Sequence, residues 1–471
     1  MAFSSYIYIL AFLPAACVIF WVLQRRSLNL ALGWLIVASV LFYAAWNPRD
    51  VLIAGISFAG NFIAARAILN GRRPSLTLGL AVAANLLALG YFKYSSAVLG
   101  LVDPALAKAV HTDLPLGISF FTFTQIAYLA DCHARKIRPQ QHSWRDYLTF
   151  VSFFPHLIAG PILHHANIIP QFHGAFRQDR ARKAGAGVVL FAIGLSKKVL
   201  VADALGRIAN PIFNGADHGV LAGLQHSWLG AVAYMLQIYF DFSGYSDMAV
   251  ASALFLGVSM PFNFNSPYKS VSIIDFWRRW HITLSNFLRD YLYFPLGGNR
   301  LGEARRYLNV FIVMLLGGIW HGAGLTFVIW GALHGLFIVI NHLWRDLARP
   351  KMEAVSRHWL WRPAAYVLTM ACVLVGWVFF RAQTVHGAVS ILGQMAGAHP
   401  LSEGSLGPRD LILVGVAGVI AGLAPNTWRI HDRLLSEGSL RWGLIGAASG
   451  AAFTVALVCI SADSPFLYFQ F

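Results

Sequence analysis

Two histidines lie in sequence contexts that suit chemistry inside a membrane. The first, His321, stands in Leu315-Leu-Gly-Gly-Ile-Trp-His-Gly-Ala-Gly324, with glycines on both sides and apolar runs before and after. Glycines let other segments approach the backbone closely, and irregular backbone at membrane depth is tolerated only inside protein or along a cavity. A neutral imidazole there can act as a general base on a hydroxyl. We predict this role for His321; the alternative is a packing histidine at a helix crossing. On a continuous helix, His334 would face about 220° away from it.

The second histidine, His281, belongs to a pattern typical of an amphipathic helix over 272–293. Its apolar side recurs at spacings of three and four and comprises Trp277, Trp280, Leu284, Phe287, Leu288 and Tyr291. Its polar side comprises Arg278, Arg279, Ser285, Asn286, Arg289 and Asp290. This pattern predicts one helix at a membrane interface, with His281 on the edge of the apolar side and pointing inward. The alternative is a buried histidine that only bonds a backbone carbonyl. For Arg278 and Arg279, the two interpretations are binding of lipid phosphates and binding of a donor.

A third group of polar residues interrupts the apolar run 238–247. Asp241, Ser243, Ser246 and Asp247 lie between apolar neighbours. Ionisable residues inside a membrane are costly, so they are candidates for function. We favour the interpretation that they cap and fix a helix break at Gly244; the alternative is contact with a substrate.

The composition indicates which elements must position these groups. The chain has 471 residues, of which 57% are hydrophobic and 12% charged, whereas soluble domains carry about a quarter charged residues. Its mean hydropathy is +0.60. Apolar stretches close to the roughly 20 residues of a membrane helix occur at 6–23, 28–46, 51–69, 75–92, 184–205, 223–240, 306–319, 323–343, 364–380, 409–424 and 442–460. Less regular stretches at 114–130, 147–163 and 245–260 predict re-entrant or broken helices. We therefore expect an all-α integral membrane protein of about ten to thirteen segments, forming a single domain over 1–471.

Charge predicts the orientation of these segments. The first has no basic region before it and ends at Arg25 and Arg26, so we expect a membrane helix rather than a cleavable signal. Basic residues favour the cytoplasmic side, which puts the N-terminus outside. The net charge of +16 fits basic loops on anionic membrane lipid.

Several other functions lack their motifs. The cations are scattered between apolar segments, which argues against nucleic-acid binding. The four cysteines are far apart and contain no C-x-x-C pair, so neither a disulfide framework nor a thiolate metal site is indicated. His164 and His165 are adjacent and there is no H-E-x-x-H, so we predict no metal site. Motifs for nucleotide binding and for a hydrolase elbow are also absent.

Five motifs, in the same order along the chain, resemble those of the membrane-bound O-acyltransferase (MBOAT) family. Within it, they resemble the bacterial membrane subunits of alginate and peptidoglycan O-acetyltransferases. The resemblance to the D-alanyl transfer protein of teichoic acid is more distant. The five motifs are Phe153-Phe-Pro-His-Leu-Ile-Ala-Gly-Pro161, Tyr239-Phe-Asp-Phe-Ser-Gly-Tyr-Ser-Asp-Met248, Asp275-Phe-Trp-Arg-Arg-Trp-His-Ile-Thr-Leu-Ser285, Tyr291-Leu-Tyr-Phe-Pro-Leu-Gly-Gly-Asn-Arg300 and Gly317-Gly-Ile-Trp-His-Gly322. The ending 465–471 is also of this type. The resemblance covers nearly the whole chain, and the motif-bearing core lies at about 150–345.

The resemblance implies a ring of helices around a central funnel, with His321 as the catalytic histidine and His281 as the second, on the cytoplasmic side. The residues that we expect at the donor site or funnel are Trp320, Trp280, Asp241, Ser243, Asn286, Arg278, Arg279, Asn299 and Arg300. The expected donor is acetyl-CoA, whose phosphates basic residues including Arg305 and Arg306 can attract. No permanently bound cofactor is expected.

The expected function is O-acetylation of a surface polysaccharide of the alginate type, in the bacterial inner membrane. Because the chain has no outer domain to hold a polysaccharide, we expect a partner of the SGNH type that passes acetyl to the glycan. Alternatives are the peptidoglycan O-acetyltransferase subunit, an acyl-enzyme on Ser243 or Ser246, and, in another class, a proton-coupled transporter or flippase that uses Asp241, Asp247 and His321.

Overall fold

The computed structural model describes residues 1–71, 73–103, 113–175, 179–347, 358–398, 406–436, 439–460 and 466–467. Within these ranges the regular elements are helices, and no strand occurs. The expectation of an all-α protein is therefore confirmed. The ending at 465–471 lies mostly outside the described residues.

The α-helices are numbered here in chain order. In the first half they are α1 Leu13–Arg26, α2 Leu28–Ala44, α3 Pro48–Asn70, α4 Pro74–Val102, α5 Ile118–His133, α6 Trp144–Ser152, α7 Phe154–Leu157, α8 His165–Pro170, α9 Arg180–Ser196, α10 Asp203–Asp217 and α11 Leu224–Phe255. In the second half they are α12 Ile273–Arg279, α13 Ile282–Leu288, α14 Glu303–His321, α15 Leu325–Leu347, α16 Trp361–Arg381, α17 Val385–Met395, α18 Pro408–Leu423, α19 Thr427–Ser436 and α20 Ser439–Val458. Wider π-helical turns are Ile7–Phe12, Gln171–Ala175, Lys197–Ala202 and Arg289–Tyr293, and short 3₁₀ turns are Pro139–Gln141 and Pro267–Lys269.

Five helical segments of the described chain are long and apolar enough to cross a membrane. They are Ile7–Arg26, Pro48–Asn70, Pro74–Gly100, Leu325–Leu347 and Trp361–Arg381. A sixth arises if α18 and α19, which meet at a bend of 49°, are one broken span. Many of their leucine, isoleucine and valine side chains are exposed, as expected where a helix faces lipid. The count of ten to thirteen segments, with the ring and the funnel, stays a prediction.

The chain divides into two compact units. Unit 1 contains Met1–Leu195, Tyr245–Phe262 and the described residues from His431 onward, and unit 2 contains Ser196–Gly244 and Asn263–Ile430. The core of unit 1 is aromatic: the Tyr8 ring lies 5.7 Å from Phe42 and 6.4 Å from Phe191, and its hydroxyl bonds the Ser252 hydroxyl at 2.7 Å. The single domain expected from the sequence stays a prediction.

Two expectations about broken segments had different outcomes. In the stretch 147–163, α6 and α7 are followed by buried backbone without regular structure, as a broken segment requires. The predicted helix break at Gly244 is wrong, because α11 is continuous from Leu224 to Phe255. A single glycine costs a helix only about 1 kcal/mol relative to alanine, and the residues around Gly244 are buried by packing on all sides.

Two glycines permit a close helix crossing in unit 2. A Cβ added to Gly318 of α14 would lie 2.4 Å from the Phe327 carbonyl oxygen and 2.9 Å from the Gly331 Cα. A Cβ added to Gly331 of α15 would lie 2.6 Å from the Met314 carbonyl oxygen. The two backbones therefore touch directly, as small residues allow within membranes. This confirms the expectation that glycines before His321 permit close approach.

Replacing Gly331 by alanine should destabilise unit 2. The new methyl meets backbone atoms that cannot rotate away, so the helices must separate, at a cost of about 1 to 3 kcal/mol. The free energy of unfolding, measured by titrating purified protein with a denaturing detergent, checks this. Gly33→Ala in α2 is the matched control, because its Cβ would have no atom within 4 Å. Equal stability of the two variants would contradict the crossing.

Candidate active site

His321 is the last residue of α14, where the helix ends in an aromatic enclosure. Only 5% of the residue is exposed. Its ring centroid lies 4.7 Å from Trp320, 5.1 Å from Trp330 and 5.1 Å from Phe380, and the last two rings are nearly perpendicular to it. The imidazole is thus held on several sides by rigid, apolar surfaces that exclude water.

Gly322 explains why the helix ends at this histidine. Its backbone is extended, and a Cβ there would lie 2.2 Å from the Phe327 ring. Only a residue without a side chain lets that ring cover the turn between α14 and α15. The glycine after His321 therefore closes the enclosure.

His334 belongs to the same cluster, contrary to the expectation that it faces away. Its ring lies 4.9 Å from Trp330, the ring that also contacts His321. The expectation assumed one continuous helix, but the chain turns at Gly322 and α15 packs back on α14. Sequence spacing alone could not reveal this contact, although the glycines on both sides of the break were the available signal.

The hydrogen bond of His334 fixes its tautomer. The Trp277 indole Nε1–H donates to His334 Nδ1 at 3.2 Å. Because an indole nitrogen can only donate, Nδ1 accepts and the neutral ring carries its hydrogen on Nε2. The Nε2 atom lies next to Gly376, where a Cβ would come within 2.6 Å of it. Trp277 is therefore anchored against the Trp330 ring, 5.8 Å away.

His281 lies at a sharp break, so the single amphipathic helix over 272–293 is wrong. Helix α12 ends at Arg279 and α13 begins at Ile282, with His281 between them at φ 42° and ψ 55°. This left-handed conformation costs a residue with a side chain about 1 to 2 kcal/mol, and it must be imposed by neighbours. The inward direction is nevertheless observed: His281 is 1% exposed, with the Phe242 ring perpendicular at 4.7 Å.

A short segment without regular structure, 263–265, imposes the turn. The Ile282 amide donates to the Asn263 carbonyl and the Asn265 amide donates to the Arg279 carbonyl, both at 3.0 Å. The Asn263 side-chain oxygen also accepts from the Thr283 hydroxyl at 2.7 Å. These bonds satisfy backbone groups on both sides of His281, as buried backbone requires. Periodicity could not predict the turn because its partner segment lies 18 residues earlier.

Aromatic rings connect the surroundings of the two histidines. Trp280, next to His281, lies 4.8 Å from Trp377, which lies 5.4 Å from Phe380, a neighbour of His321. Unit 2 thus brings Trp280 and Trp320 into one aromatic cluster with the histidines. The roles of these four residues stay predictions.

Asp241 is committed to a buried ion cluster. Lys198 Nζ lies 2.7 Å from Asp203 Oδ1 and 2.8 Å from Asp241 Oδ1, and all three side chains are nearly buried. Removing one partner from such a cluster is strongly destabilising. Asp241 therefore has a structural role as a partner of Lys198. On the same helix, the Ser243 hydroxyl is buried without a hydrogen-bond partner among the described residues.

The remaining predicted residues lie on or near the surface. Arg278, Asn299 and Arg300 are exposed and Asn286 is half-buried. Arg279 is partly engaged by Asp275, at 2.9 Å. Arg278 and Arg300 therefore offer exposed cations to an anionic ligand, whereas Arg279 is partly engaged by Asp275.

Two comparisons with known proteins place the chain among acyltransferases. Residues 88–379, more than half of the chain, match the membrane-bound O-acyltransferase (MBOAT) family. A peptidoglycan O-acetyltransferase of Helicobacter pylori is 38% identical over 435 residues, which cover 85% of this chain and 81% of that protein. The probable alginate O-acetylase AlgI of Pseudomonas putida is 37% identical and both chains are covered completely. A teichoic acid D-alanyltransferase of Bacillus subtilis is 26% identical, covering 58% of this chain and 69% of its own.

The turn at His281 predicts an unusual order of stability between two variants. Both His281→Gly and His281→Ala lose the imidazole, but only alanine is strained in the left-handed conformation. We expect the glycine variant to be more stable by about 1 kcal/mol in detergent-induced unfolding. Inside a helix the order is reversed by a similar amount, so the pair Ser285→Gly and Ser285→Ala in α13 is the control. A more stable His281→Ala would contradict the turn.

The bond between Trp277 and His334 predicts coupled effects. His334→Phe leaves a buried indole N–H without an acceptor and should cost about 1 to 3 kcal/mol of unfolding free energy. Trp277→Phe removes the donor instead. In the double variant the loss should be smaller than the sum of the single losses, because the bond is lost only once. Strictly additive losses would contradict the bond.

Proposed function

The chain belongs to the membrane-bound O-acyltransferase family, and we propose that it transfers acetyl from acetyl-CoA to a hydroxyl on the extracytoplasmic side, with His321 as general base. The observation that carries this proposal is the enclosed His321 at the end of α14. The relative that is 38% identical is named an O-acetyltransferase, and the one that is 37% identical is named a probable O-acetylase. These names support acetyl as the group transferred.

The proposed reaction is a direct transfer. The hydroxyl oxygen attacks the thioester carbonyl carbon while its proton passes to an imidazole nitrogen of His321. The tetrahedral oxyanion then collapses, the carbon–sulfur bond breaks, and the coenzyme A thiolate leaves and takes the proton from the His321 imidazolium, which restores the neutral base. The products are an acetyl ester and coenzyme A, with no oxidant or reductant required.

The position of His321 favours this role. The carbonyl end of a helix carries partial negative charge, which stabilises the imidazolium that forms when the base takes a proton. Neighbouring aromatic rings also interact favourably with a cation. Because these groups are fixed before the reaction, little reorganisation is needed, and the aromatic enclosure keeps out water that would hydrolyse the thioester.

His281 is the second residue in the proposed mechanism. Its ring is buried, and its backbone is held in a strained turn by neighbouring segments. Strain of this kind is often retained at functional sites. We propose that His281, or the Trp320 indole, donates a hydrogen bond to the oxyanion.

Exposed cations support a phosphate-bearing donor. Arg278, Arg300 and Arg305 are exposed and can attract the phosphates of coenzyme A. Arg306 is less suited, because it pairs with Asp346, which also accepts from the Tyr307 hydroxyl at 2.8 Å. In this proposal the donor enters from the cytoplasm, and the N-terminus lies on the outer side of the membrane.

The acceptor is proposed to be a surface glycan, reached through an extracytoplasmic partner of the SGNH type. A relative of full coverage is named a probable alginate O-acetylase, which favours an exopolysaccharide in the bacterial inner membrane setting. Peptidoglycan is the second candidate, because the Helicobacter pylori relative of similar identity bears that name. Because the chain belongs to an acyltransferase family, nothing supports the alternative of a transporter or flippase.

Replacing His321 by alanine should abolish acetyl transfer without unfolding the chain. Loss of a general base costs about 100-fold to 10,000-fold in rate, and kcat should fall by that amount. Transfer from radiolabelled acetyl-CoA by purified protein, supplied with its acceptor, measures this.

The matched control is His386→Gln, an exposed histidine on α17, which should keep full activity. Normal folding is checked by detergent-induced unfolding of both variants. Unchanged transfer by a folded His321→Ala variant would reject the base assignment.

A further inference from the structure

Unit 1 carries an apolar groove of about 390 Å³ that has no part in the proposed reaction. Helices α1, α9 and α20 form its walls, together with one residue of α11. Lining residues include Leu13, Cys17, Val188, Phe255, Gly450 and Phe453. Almost all of the surface that they present is hydrocarbon, so the groove suits an apolar ligand.

Two helices run from this groove to arginines. On α1, Trp21 follows the lining residue Cys17 by one turn, and Arg25 follows Trp21 by one further turn. On α9, Arg180 precedes the lining residue Val188 by eight residues, or roughly two turns. Both walls of the groove thus end in a guanidinium group.

The two arginines lie at the same end of the groove. The Arg180 guanidinium lies 3.6 Å from the centroid of the Trp21 ring. The Trp21 indole donates at 2.9 Å to the carbonyl of Phe255, which also lines the groove. Burial and then the nearby charge of Arg25 lower the pKa of Arg180. An anion bound between the two cations would offset their repulsion.

We propose that the groove and these two arginines bind one anionic phospholipid. An acyl chain fills the groove, and the phosphate lies between Arg25 and Arg180. A cavity of about 150 Å³ holds the six carbons of benzene, so 390 Å³ has room for roughly fifteen carbons of one chain. Guanidinium groups suit phosphate because they donate parallel hydrogen bonds.

A lipid fits better than a soluble anion or a second protein chain. A free phosphate would use the arginines and leave the groove without a ligand, whereas a lipid uses both. Helix α1 belongs to a segment that is apolar enough to cross a membrane, so acyl chains are present at high concentration. The site uses none of the residues assigned to acetyl transfer.

Native mass spectrometry of the full chain, released from nanodiscs of equal phosphatidylglycerol and phosphatidylcholine, tests this. We expect one phosphatidylglycerol retained per chain. The double variant Arg25→Gln, Arg180→Gln should lower that retention by about thirtyfold, since each basic residue contributes about a factor of five for an anionic lipid. Gly450→Leu should lower retention of both lipids, because its side chain projects into the groove.

Matched controls separate these effects from loss of folding. Gly418→Leu in α18 also has open space at its Cβ, and Arg362→Gln, Arg409→Gln removes two exposed cations elsewhere; both should leave retention unchanged. Equal retention of the two lipids would overturn the proposal, as would full retention in Gly450→Leu. Displacement of the lipid by inorganic phosphate alone, or release of chain dimers without lipid, would also overturn it.

Discussion

The direct backbone contact between Gly318 and Gly331 is the constraint on which the proposed site depends. Within a membrane, helices gain little from burying apolar side chains against each other, so close packing must come from small residues. At this crossing the two backbones touch, which brings Trp330 of α15 against His321 at the end of α14. The same packing also puts His334 in contact with Trp330. A chain with side chains at the crossing could not form this enclosure.

Both histidines lie where the helical backbone ends or breaks. His321 occupies a helix end, and His281 occupies a turn whose backbone groups are bonded by Asn263 and Asn265. The bonds to Asn263 and Asn265 satisfy backbone groups on both sides of His281, as buried backbone requires. Lys198 pairs with both Asp203 and Asp241, so the charge at Asp241 is partly offset within unit 2.

The sequence predicted the helical class, the family and the inward direction of His281, because composition, motif order and periodicity are local signals. It failed where tertiary contacts decide the backbone. Trp277 and Trp280 follow a helical period, yet the helix breaks between α12 and α13 because a distant segment bonds the turn. His334 was predicted to face away from His321, because residue spacing cannot reveal that the chain turns back at Gly322. Gly244 was read as a break, although packing keeps α11 continuous.

The central claim is that acetyl passes directly from the thioester to the acceptor hydroxyl, with His321 as base and no acetylated enzyme. The intact mass of the purified chain, quenched during turnover with acetyl-CoA and acceptor, tests it most directly. We expect an unmodified chain while acetylated acceptor accumulates. A chain that gains the mass of one acetyl group, formed and consumed fast enough to account for turnover, would contradict it and point to a side-chain nucleophile such as Ser243.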